Sequence, residues 1–125
     1  MHQAVTPRTS SLIMDMMQTT IKSGTGRKAF RGRKKDPVLA RLTIGGKTGS
    51  IYNRQRDTRF DWFVGFAADR QSSASIAVAV VVGHGKYIGT RAGHYARLAM
   101  KKYFDSYFSK SGKAVEAQAR AGKGN

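Results

Sequence analysis

The run Ser75-Ile76-Ala77-Val78-Ala79-Val80-Val81-Val82 is β-branched and apolar nearly throughout. Branching at Cβ crowds the preceding turn of a helix but packs well on a pleated surface, so the run favours an extended strand. It is far too short to cross a bilayer as a helix. Because it hardly alternates, it predicts a central strand over 75–82 covered on both faces. A chain that contains it has to build a sheet and cover it.

Two further strands are legible upstream. Residues 38–44 alternate weakly and run into Gly45-Gly46-Lys47-Thr48-Gly49-Ser50, which predicts a strand over about 41–52. Asn53-Arg54-Gln55-Arg56-Asp57 reads as a hairpin loop, residues 60–66 as the next strand and 67–74 as a turn. Gly83-His84-Gly85-Lys86 breaks the sheet. Leu12, Ile13, Met16, Met17, Thr20 and Ile21 recur at helical spacing, predicting a helix over about 10–23 with Ser10 or Ser11 as its cap. Gly24 would stop it in a left-handed conformation, and the methionine stripe reads as core. A second helix is predicted from Gly89 or Thr90 to about 108, its apolar face formed by Ala92, Tyr95, Ala96, Ala99, Met100, Tyr103, Phe104 and Tyr107. Residues 109–125, rich in Gly, Ala and Lys, read as a basic disordered tail after a domain over 1–108. The order helix, three-stranded antiparallel meander, helix predicts an α+β fold with the C-terminal helix packed on the sheet.

At 125 residues the chain is one domain or less, and its net charge of +16 points toward an anionic partner. Arg27, Lys28, Arg31, Arg33, Lys34 and Lys35 crowd into nine residues, as a solvated loop or a polyanion contact. With no cysteine there is no disulfide, thiolate nucleophile or cysteine-based zinc site. His2, His84 and His94 lack ligand spacing, so neither a metal nor another cofactor is expected. Met1-His2-Gln3-Ala4-Val5-Thr6-Pro7 has no basic head before an apolar core and does not read as a signal peptide. Gly46-Lys47-Thr48 is not the end of a phosphate-binding loop: the motif needs Gly at position 41, where Arg41 stands, and a helix directly afterwards.

Lys47-Thr48-Gly49-Ser50 has a more specific context. Ser23-Gly24-Thr25-Gly26 follows an amphipathic helix before it, Asp61-Trp62-Phe63-Val64-Gly65-Phe66 comes after, and an apolar strand and closing helix complete the order. Over about residues 5–108 this resembles the C-terminal part of the transpeptidase domain of penicillin-binding proteins, within the β-lactamase/transpeptidase-like fold. The resemblance implies a serine that attacks a D-Ala-D-Ala peptide of peptidoglycan, or a β-lactam, to form an acyl-enzyme. It also implies roles for the triplet. Lys47 would place a supporting catalytic cation beside the site; Thr48 and Ser50 would offer hydroxyl donors to the substrate carboxylate. Gly49 would let an extended substrate lie close to the strand edge. The backbone N–H of Ser50 would form half of an oxyanion hole.

The family's other two boxes are not found. No serine stands three residues before any lysine; Thr19 before Lys22 and Thr25 before Lys28 lie at a helix end and in a loop. The two asparagines, Asn53 and Asn125, follow Ile51 and Lys123 at the position that needs Ser or Tyr. The chain is therefore expected to be a C-terminal piece, from a split gene, a truncated reading or an internal start, and inactive alone. Its expected partners are the stem peptide or β-lactam of the parent protein, the missing N-terminal part of the same domain, and an anionic wall polymer or lipid at the basic run. The family is membrane-anchored with its catalytic domain outside the cytoplasm, which leaves this chain's own location open. D,D-carboxypeptidases and serine β-lactamases use a similar box. A reading of another class, a small basic nucleic-acid-binding protein, rests on the charge of the 27–35 run.

Overall fold

The computed structural model describes residues 3–121. Helix α1 spans Pro7–Lys22, strands β1, β2 and β3 span Leu42–Tyr52, Arg59–Asp69 and Ser75–His84, and helix α2 spans Ala92–Ala121. Two short 3₁₀ turns, Arg33–Lys35 and Leu39–Arg41, punctuate the long α1–β1 connection. The strands form one antiparallel sheet in the order β1-β2-β3, the expected meander with flanking helices.

Helix α1 starts earlier than its apolar pattern. Thr6 caps it, in extended geometry (φ −66°, ψ 154°), its hydroxyl accepting the Thr9 N–H at 3.2 Å. Pro7 follows at the first helical position, where a missing N–H costs nothing and a fixed φ helps. Neither Ser10 nor Ser11 is the cap. At the other end Ser23 closes the helix, its N–H on the Thr19 carbonyl at 3.0 Å. Gly24 is not left-handed. It is glycine because a Cβ there would lie 2.9 Å from the Thr20 Cα.

The methionine stripe is not core. Ile21 is the fully buried residue of α1, while Leu12 and Met16 are 55 % and 63 % exposed. Only the later turns of α1, at Met17, Thr20 and Ile21, settle against the sheet beside β1. Among the described residues nothing covers the rest of the stripe.

The strand expected at the centre is at the edge. β2 lies between its neighbours, and β3 is paired on one side only. Ile76, Val78, Val80 and Val82 are half-buried while Ala77, Ala79 and Val81 are exposed. Helix α2 covers one face of the sheet, so even an uninterrupted apolar strand acquires an inner and an outer side. On β2 the same alternation buries Phe63 and Ala67 and leaves Trp62 and Val64 each 45 % exposed. β2 also runs on to Asp69, and β3 to His84, past the expected ends.

Helix α2 buries Ala92, Ala96, Met100 and Phe104, one residue in four along a single line. Tyr95, Ala99 and Tyr103, expected on that face, lie one position off the line and are exposed. The helix continues through Ala121 instead of ending near Phe108, so the reading of a disordered tail is corrected up to that residue. The stretch after Gly112 is built of Lys, Ala, Glu, Gln and Arg, all strong helix formers, apart from Val115. Residues 122–125 lie outside the described residues.

Phe63 organises the core. Its ring lies across the paired glycines Gly46 and Gly65, where a Cβ on either would come within 2.7 Å of a ring carbon. On its far side it meets Phe30 at 5.7 Å between centroids. Phe66 lies over Gly45 on the opposite sheet face, beside Met17. Substituting Gly46→Ala or Gly65→Ala is expected to destabilise by about 1–3 kcal/mol through overpacking. Gly49→Ala, whose Cβ would meet only the Trp62 Cβ at 3.5 Å, should stay within about 0.5 kcal/mol of wild type. Urea denaturation of the three variants checks the contrast.

Candidate functional site

A cavity of about 770 Å³ opens where the second half of β1, the turn after α1 and the entry to α2 converge. Thr48, Gly49 and Ser50 line it from β1, Thr25 and Lys28 from the turn, and Arg91 from the segment before α2. Three of the four expected site residues are therefore brought together. Lys47 is not among the cavity's lining residues: strand alternation turns it to the other face, exposed, with its Nζ donating to the Thr48 carbonyl at 2.7 Å.

The turn is locked to the strand through two hydroxyls. Thr25 Oγ1 and Thr48 Oγ1 lie 2.6 Å apart. One proton is shared between them, and the second hydroxyl keeps a donor for a ligand. Gly26 makes this approach possible by returning its N–H to the Thr20 carbonyl at 3.1 Å, folding the chain back under the end of α1.

Beside them lies a polar cluster centred on Asp61, which is 4 % exposed. Register puts it directly opposite Ser50. Its Oδ1 accepts from the Ser50 hydroxyl at 3.0 Å and from Arg91 Nη1 at 3.1 Å, and its Oδ2 faces His84 Nε2 at 3.3 Å. Ser50 in turn accepts from Arg59 Nη2 at 3.0 Å. His84 is as buried as Asp61, and its Nδ1 accepts the Gly89 N–H at 3.2 Å. An amide N–H can only donate, so in this arrangement the ring proton sits on Nε2 and points at Asp61. Burial pushes the Asp61 carboxyl upward, but the Ser50 hydroxyl, the Arg91 guanidinium and His84 outweigh it and hold the group below its ordinary value of 3.8.

An ionised carboxylate only accepts, so Ser50 directs its proton to Asp61 and receives Arg59 on its lone pair. Here the hydroxyl is engaged within the protein. The charged donors that line the cavity are Arg91, whose side chain is 52 % exposed, Lys28 and Arg59. Such a rim suits an anionic group such as a carboxylate. Among the described residues no three His, Asp or Glu side chains are placed to hold a metal, and no helix is long and apolar enough to cross a membrane.

Asp61, His84, Arg59, Arg91 and Thr25 are absent from the sequence-based set. One was within reach: closing the hairpin with Tyr52 opposite Arg59 also sets Ser50 opposite Asp61. Arg91 and His84 carry no such local signal, since only the folded sheet and the loop after β3 bring them to Asp61.

Replacing Asp61 by Asn should cost roughly 1–3 kcal/mol, because it leaves Arg91 and the Ser50 hydroxyl without their charged acceptor. The pH dependence has a definite sign. A depressed carboxylate contributes stability in full above about pH 4 and loses it as pH falls through its lower folded value. The gap between wild type and Asp61→Asn in thermal unfolding should therefore be wide at pH 7 and narrow progressively below about pH 4.

Comparison with known proteins agrees with this architecture. Residues 2–105 match the family model described as the penicillin binding protein transpeptidase domain. Penicillin-binding protein 1A of Neisseria gonorrhoeae is 32 % identical over 104 residues, covering 82 % of this chain and 11 % of the relative. The proteins of the same name from Neisseria lactamica and Neisseria meningitidis serogroup B are 32 % and 31 % identical over the same length. The chain thus spans about one-tenth of the curated relatives it matches, 11 % in each. No solved structure matches it. A family match across most of the sequence, on a helix–meander–helix fold, places the chain in the penicillin binding protein transpeptidase domain family.

Proposed function

We propose that this chain forms the β1 wall of a peptidoglycan D,D-transpeptidase site, the side that receives the substrate peptide or a β-lactam. The observation that carries the reading is the cavity along Thr48-Gly49-Ser50, rimmed by Lys28 and Arg91, in a chain of this family. An extended peptide lies beside Gly49, where no side chain intervenes, and its carboxylate meets the Thr25–Thr48 hydroxyl pair and the cationic rim. The backbone N–H of Ser50 contributes to an oxyanion hole. Lys47, on the opposite face, supports proton transfer only with groups supplied from outside this sequence.

The serine nucleophile and its lysine are such groups, since no Ser-x-x-Lys occurs here. The exposed apolar surfaces of α1 and the sheet, at Leu12, Met16, Trp62 and Val64, are the faces the rest of the domain would cover. Action on peptidoglycan places that domain on the outer side of the cytoplasmic membrane. Carboxypeptidases and serine β-lactamases share the triplet, and the boxes that separate them are not in this sequence.

Two measurements test the proposal. Incubation with a fluorescent penicillin should leave the protein unlabelled and its mass unchanged; a covalent adduct would show that a nucleophile is present after all. Titration with a peptide ending in D-Ala-D-Ala should shift the amide resonances of Thr48, Gly49 and Ser50. Shifts confined to other parts of the chain would refute the β1 assignment.

A further inference from the structure

The basic run between α1 and β1 is not a loose loop. Phe30, inside the run, is fully buried against Phe63. Arg97 of α2 reaches across to donate one nitrogen, Nη1, to the carbonyls of Ala29 at 3.2 Å and Arg31 at 2.9 Å. Gly32 takes a positive φ of 77°, which lets the chain reverse into the Arg33–Lys35 turn. Asp36 closes the segment, accepting the N–H groups of Val38 and Leu39 at 3.0 and 3.1 Å and Lys101 Nζ at 2.6 Å.

This fixed backbone carries cations with nothing to neutralise them. Arg27, Lys28, Arg31, Lys34 and Lys35 are exposed and Arg33 half-buried. No acidic residue occurs between Asp15 and Asp36. The ion pairs among the described residues join Arg59, His84 and Arg91 to Asp61, and Lys101 to Asp36, so none involves the run. The cations border a concavity of about 320 Å³ lined by Arg27, Arg31, Arg33, Lys34 and Lys35, with Phe30 and Gly32 in its wall. Like charges held close around a hollow repel one another, and an anion entering it relieves that repulsion. Arginine forks and lysine ammonium groups together match phosphate oxygens in geometry and charge.

From these observations we propose that Arg27, Arg31, Arg33, Lys34 and Lys35 form a binding site for phosphate-bearing anions, free or as a lipid headgroup. Its concavity, lined by these five residues, is separate from the β1 cavity, to which Lys28 belongs, and the proposal does not depend on the wall-site reading. Single-stranded nucleic acid is the less suitable ligand, because the run's one aromatic, Phe30, is buried and offers no ring on which a base could stack.

The test uses the full chain with two probes, inorganic pyrophosphate and vesicles of phosphatidylglycerol in phosphatidylcholine, with pure phosphatidylcholine vesicles and duplex DNA as comparisons. Pyrophosphate or anionic vesicles should shift the amide resonances of residues 27–35 in the wild-type protein. The triple variant Arg31→Gln, Lys34→Gln, Lys35→Gln should bind about tenfold more weakly, and the equally charged control Lys86→Gln, Lys102→Gln, Lys110→Gln within about twofold of wild type. Loop-dependent binding of pyrophosphate identifies a free phosphate ligand, and loop-dependent binding of anionic vesicles alone identifies a headgroup. Failure to bind either probe, or an equal loss in both variants, overturns the proposal. Tighter loop-dependent binding to DNA than to both probes overturns it in favour of nucleic acid.

Discussion

The core of this domain is arranged around Phe63, whose ring occupies the space over the Gly46–Gly65 pair. A ring can occupy that space only because neither strand has a side chain there. The ring then fills the gap between sheet and α2 without a long residue on β1, so the strand stays close under the helix line of Ala92, Ala96, Met100 and Phe104. Phe30 completes the stack from the connecting segment. Glycine on β1 is thus a packing requirement at Gly46, while Gly49, three residues on, lines the cavity and would give an added Cβ only an ordinary contact.

Asp61 ties this core to the cavity. It shares the inner face of β2 with Phe63, two residues along, and there collects Ser50 from β1, His84 from the end of β3 and Arg91 from the approach to α2. A buried carboxylate without these donors would be strongly disfavoured, and with them it holds three separate chain segments to one point. The cavity wall is accordingly rigid where Ser50 stands. Its hydroxyl is committed inward, which leaves Thr25, Thr48, Lys28, Arg59 and Arg91 as polar side chains lining the cavity.

Much of the fold is legible in the sequence. β1 matched its expected span closely, because turn-forming residues bound it and its register partner is short-range. The helix–meander–helix order followed from changes in hydrophobic period. The errors share a cause: apolar periodicity reports that a side chain is fit to be buried and is silent on whether anything buries it. The stripe from Leu12 to Met16 and the strand at 75–82 are apolar enough for the interior, and both have exposed sides. On α2 the periodicity is too broad to separate Tyr95 and Tyr103, which are exposed, from the buried line one position away. The early start of α1 turned on Thr6 and Pro7, cap chemistry that lies outside the apolar stripe.

The sequence by itself determined the local chemistry: the Lys-Thr-Gly-Ser strand, the resemblance it carries, the absence of a serine box within these residues and the excess of basic charge. These depend on residue identity and short spacing, which survive without a fold. Only the tertiary structure decided which side of β1 faces the cavity, turning Lys47 away from Thr48 and Ser50. It alone brought Arg91 and His84 to Asp61 across more than twenty residues, and anchored the basic run with Arg97 and Lys101 of α2. The reason is physical. Such contacts are chosen by the packing of the whole core, and neighbouring residues in the chain hold no record of them.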